Sequence, residues 1–197
     1  IPSVVYGTQS VFATAEAGEL ARFLKAAADF GSDGIVKSAL ATQIFGRSAN
    51  DIDAMSADGA RWEETVLRFA RYRETWTERG FIAMFRLMLA EEDVYARILP
   101  LPDGERRMTN LLHLAELLHR RECEAGQSLE GLLLWLADSM EGTDDAEETQ
   151  MRLETDENAV KIMTLHASKG LQFPVVFCPF LFRGVKVDAT EFTFHRG

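Results

Sequence analysis

Cysteine, positive charge and long apolar runs are all scarce in these 197 residues. The two cysteines, Cys123 and Cys178, lie far apart in dissimilar surroundings. That pattern argues against a disulfide framework or a cysteine zinc knuckle and fits reduced thiols, so no structural metal is expected. No apolar run approaches the ~20 residues that span a bilayer. The opening residues also lack the charged region, apolar stretch and cleavage site of a signal peptide. The expectation is a cytoplasmic protein with no membrane contact. Lysine and arginine number 21 against 31 aspartates and glutamates, which leaves a formal charge of -10. A mean field of that sign repels nucleic acid, and any polyanion contact must rest on a local patch. What is abundant is apolar side chain, at 47% of the chain, enough for a real core.

The chain opens at Ile1-Pro2-Ser3-Val4-Val5-Tyr6, already reading as a strand, without an initiator Met. It closes at His195-Arg196-Gly197 with no stop signal, so a piece of a longer polypeptide is expected. From Thr14 to Phe30, Leu20, Phe23, Leu24 and Ala27 recur at helical spacing, with Thr14 as N-cap and Gly31 as stop. Helical patterns then follow one another to about residue 140. Trp62, Val66, Phe69, Tyr72 and Trp76 form one apolar face, and another helix begins after Gly80. The break "LPLPDGE" precedes a long helix that Asp103 can cap, and Ser128 opens the last. Residues 141–158 hold eight acids against Arg152 and read as a solvated acidic linker. Beyond it the period changes. Ala159–Leu165 is strand-like, and Pro174–Cys178 is a continuous apolar run of the kind buried on both faces of a sheet. The expected organisation is residues 1–31 as the start of an α/β domain, 32–140 as a helical insertion, 141–158 as linker, and 159–197 as the return to the α/β domain. The fold class is mainly α, with a helical subdomain spliced into a partial α/β domain.

Between the last two predicted strands lies a polar turn, Thr164-Leu165-His166-Ala167-Ser168-Lys169-Gly170-Leu171-Gln172. Ligands of open α/β sheets sit beyond the carboxyl ends of strands, where this turn falls. Thr164 and His166 share one face of an extended chain, and Lys169-Gly170 offers a cation beside a residue without a side chain. Such groups suit phosphate or a nucleic-acid backbone.

The string Val160 to Phe177 closely resembles motif V of the UvrD/RecB superfamily 1A DNA helicases. The opening segment, with Tyr6, Gly7, Phe12 and Glu16, resembles the second RecA-like domain (2A) of that family just before its helical 2B insertion. "GERRMTNLLHLAELL" and "TQMRLETDENAVKI" are similar to the RecB branch, and the resemblance spans the chain. It implies a RecA-like P-loop NTPase domain carrying the helical insertion. It also implies a parent that is an ATP- and Mg2+-dependent 3′-to-5′ helicase with an attached nuclease, acting on double-strand ends beside RecC-like and RecD-like subunits. An AddA-type protein is the runner-up within the family, and a non-catalytic helical interaction module is the rival outside it. By the same resemblance Thr164, His166 and Lys169 are DNA-binding, with Lys169 and Gly170 shaping the turn, while Gly170 and Gln172 approach the nucleotide. The family usually places Glu where this chain has Gln172, whose amide can still accept from a ribose hydroxyl but carries no charge. These residues contain no Walker loop, acidic magnesium motif or nuclease carboxylate cluster, so the chain alone is expected to bind no cofactor and to catalyse nothing.

Other conspicuous residues receive plainer readings. His113 and His119 are six apart, a poor spacing for a shared metal. Arg106, Arg107, Arg120 and Arg121 could meet duplex phosphate or a partner, with helix solvation the more ordinary role. Trp62, Trp76 and Trp135 belong to apolar faces. Arg68, Arg71 and Arg73 share a helix with Glu63, Glu64, Glu74 and Glu78, so local compensation is expected.

Overall fold

The computed structural model describes residues 3–5, 10–126, 128–142, 160–162, 168 and 172–179. The chain divides into two units, Ile1–Ile162 and Met163–Gly197. In the first, strand β1 (Ser3–Val5) leads through a 3-10 turn (Val11–Ala13) into helix α1 (Ala15–Ala28). Then come α2 (Asp33–Leu40), α3 (Ala49–Ala57), α4 (Gly59–Arg79), α5 (Phe81–Glu91), α6 (Val94–Ile98), α7 (Gly104–Ala125) and α8 (Leu129–Glu141), and the unit closes with strand β2 (Val160–Ile162). The predicted acidic linker lies outside the described residues, apart from its first two positions. The fold is mainly helical, as the sequence implied.

Local chemistry explains four of the eight α-helix starts among the described residues. The Thr14 hydroxyl accepts from the Ala17 N–H at 3.4 Å while donating to the Val11 carbonyl at 2.6 Å, locking the turn to α1. Ser48 and Asp51 exchange hydrogen bonds in a capping box at α3, and these bonds hold the Asp51 carboxyl below its usual range. Asp58 accepts from Ala60 and Arg61 to begin α4, and Ser128 begins α8. Asp103 stands at the N-cap of α7 but makes no side-chain cap there, pairing instead with Arg106 at 3.1 Å.

Helix α5 starts differently. Its N-cap is Gly80, at φ 83, which has no side chain to offer. Glu122 of α7 substitutes, accepting from the Phe81 N–H at 3.0 Å and from the Trp76 indole at 3.0 Å. One carboxylate therefore caps α5 and fixes α4 against α7.

The core is continuous from Val11 to Leu136 and draws on every helix of the unit. Its centre is aromatic. Phe23 of α1 meets Phe45 at 5.7 Å and Tyr72 of α4 at 5.6 Å, and Phe45 stacks on Phe69 at 5.4 Å. Full burial of each such ring contributes up to about 3 kcal/mol. Helix α1 thus shares its core with the helices that follow it. Trp76 is buried, while Trp62 and Trp135 pack at the core margin, so all three tryptophans belong to apolar packing.

The two short strands pair in parallel, Ser3 opposite Val160, Val4 opposite Lys161 and Val5 opposite Ile162. The chain enters and leaves the helical block side by side.

Where α6 gives way to α7, Gly104 is buried so tightly that a Cβ would collide with the carbonyl oxygens of Ile98 and Leu99. Gly18, inside α1, has nothing within 4 Å of the same position. Gly104→Ala should therefore lower stability by about 1–3 kcal/mol. Gly18→Ala should raise it by about 0.5–1 kcal/mol through helix propensity. Urea denaturation midpoints of the two variants check both signs.

Candidate nucleic-acid interface

The predicted contact turn follows β2 directly in sequence. Of its candidate residues, Thr164, His166, Lys169 and Gly170 lie outside the described residues. Gln172 is described and its side chain is exposed, which leaves the amide accessible to solvent or ligand. The apolar run predicted as a doubly buried strand is not one here. Residues 174–178 run through bends and irregular chain, with Val175 71%, Val176 65% and Phe177 87% exposed. A strand of that composition needs paired neighbours on its edges and layers over both faces, and among the described residues nothing supplies them.

The basic residues of the helical unit are largely committed internally. Arg107 of α7 reaches Glu16 at 2.7 Å and Glu19 at 3.1 Å, both on α1. Asn110, one turn on, donates to Glu16 at 3.2 Å, and the second oxygen of Glu19 accepts from the Ile44 N–H at 3.3 Å. Arg106 pairs with Asp103, Arg120 lies 3.7 Å from Glu116, and Arg121 lies over the Trp135 ring. The four arginines of α7 do not form a free phosphate-binding row.

The arginines of α4 correct the expectation of local compensation. Arg68 pairs with Glu92 at 2.7 Å, Arg71 with Glu91 at 2.6 Å, and Arg73 donates to the Ala28 carbonyl. Their hydrogen-bonding partners sit on other elements, although Glu64, one turn back on α4, also acts electrostatically on Arg68 as local compensation would have it. Glu92 is buried and also accepts from the Tyr72 hydroxyl at 3.2 Å. Burial pushes the Tyr72 phenol well above its usual range, with the charge of Glu92 adding to the effect, so it stays a neutral donor.

His113 is buried on α7 and His119 lies 3.8 Å from Glu122, consistent with two unrelated helix residues. Among the described residues no group of three or more His, Cys, Asp or Glu side chains is arranged to hold a metal. None of the described helices is long and apolar enough to cross a membrane.

The geometry of the helical unit can be set beside known proteins. The family model for the UvrD-like helicase C-terminal domain matches residues 49–185. The chain belongs to this family. Among curated proteins, the UvrD-like chain is 39% identical over 186 residues to the RecB component of the RecBCD enzyme of Escherichia coli, with 92% of the chain covered. It is 38% identical over 182 residues to RecB of Haemophilus influenzae. It is also 34% identical over 119 residues, 58% of the chain, to an ATP-dependent helicase/nuclease component of Enterococcus faecalis. The chain spans 15% of the length of either RecB relative and 9% of the third.

The buried carboxylate pair of α1 is the feature that sequence reading missed in this UvrD-like unit. A signal was there to find: Glu16 and Glu19 stand three apart among apolar residues of one helix, as do Arg107 and Asn110 of another. Polar groups on an inward face need partners. Burial raises the Glu19 carboxyl above its ordinary value of 4.5, against the opposing charge of Arg107 and the Ile44 N–H. A raised folded value favours the protonated form, so the contribution of Glu19 to stability is fully present below 4.5 and is lost as pH climbs through the raised value. Glu19→Gln should therefore gain stability relative to the parent as pH rises through that window. Urea midpoints across about pH 4 to 7 report it, and a pH-independent difference would contradict the assignment.

Proposed function

We propose that this chain is the helical insertion, with its flanking motor-domain pieces, of a RecB-type helicase-nuclease that acts on double-strand DNA ends in recombinational repair. The parent would be a cytoplasmic 3′-to-5′ helicase using ATP and Mg2+, assembled with RecC-like and RecD-like subunits. The observation that carries the reading is the parallel pairing of β1 with β2 around the helical block. Two parallel strands do not make a stable sheet by themselves, so they imply further strands of an α/β domain. The exposed Val175, Val176 and Phe177 support the same conclusion, since their composition suits a sheet interior. The RecB relatives match over more of the chain than the Enterococcus faecalis relative does, which favours the RecB-type over the AddA-type reading. A free-standing interaction module would leave the paired strands without a purpose.

In this reading Thr164 and His166 face single-stranded DNA, Lys169 and Gly170 set the turn, and Gln172 meets the nucleotide ribose. The exposed Gln172 amide fits that last contact, but no group among the described residues would cradle a triphosphate. Nucleotide would thus be held mainly by parts of the parent outside this chain, and no chemical step is routed through it here. This chain's own work is mechanical. The helical block, rigid through its shared core and buried ion pairs, would orient duplex and protein partners, while the turn after β2 grips the strand.

In the full-length parent, His166→Ala should weaken DNA stimulation of ATP hydrolysis about tenfold or more while leaving basal hydrolysis nearly intact. Unchanged stimulation would remove His166 from the DNA contact. The isolated 197-residue chain should show no binding of an ATP analogue, with or without single-stranded DNA.

A further inference from the structure

We draw no further inference here: the strongest candidate, the buried side-chain cluster of Glu16, Glu19, Arg107 and Asn110 between α1 and α7, belongs to the helix contact already described, and nothing among the described residues points to a ligand, a partner or a second arrangement for it.

Discussion

Arg107 reaches from near the start of α7 to Glu16 and Glu19 on α1, where little water remains to replace any of the three. Two like charges side by side are tolerable there because one guanidinium bridges them, Asn110 donates to the first, and a backbone N–H donates to the second. Removing one member would strand the others at a cost of about 3–5 kcal/mol, whereas the intact set need add little net stability over apolar packing. Its value is therefore specificity. Apolar faces can slide past one another by a turn, but this set of hydrogen bonds closes in one register of α1 against α7.

The same device recurs at the other helix contacts. Glu92 gathers Arg68 and the Tyr72 hydroxyl below the aromatic core, and Glu122 caps α5 from α7 while holding the Trp76 indole. Each of these carboxylates takes its donors from elements distant in sequence. The apolar core supplies most of the driving force, and the carboxylates decide which helix meets which. A helix block fixed in this way suits a lever or platform, since local strain is transmitted through close-packed contacts instead of being absorbed.

This internal use of arginine has an outward consequence. Pairing arginines with the chain's own carboxylates leaves the net charge of -10 unchanged and ties up cations that could otherwise meet a polyanion. Such a field disfavours polyanion contact with the described helices of this UvrD-like chain.

The sequence alone determined the helical character of the block, several helix starts and the change of pattern after the acidic stretch. Those features depend on neighbours within a few residues: Thr14 and Ser128 cap their helices as their spacing promised. Its motif also pointed to the helicase family. Asp103 fails as a side-chain cap because a charged neighbour, Arg106, competes for it. The apolar run at 174–178 reads as a buried strand, yet burial needs partners that local sequence does not contain. Tertiary structure alone decided the partners of Arg68, Arg71 and Arg107, the remote cap on Gly80, and the pairing of β1 with β2. The physical reason is range: helix propensity and capping act within about one turn, whereas the choice of a buried ion's partner is made only when distant elements pack together and exclude water.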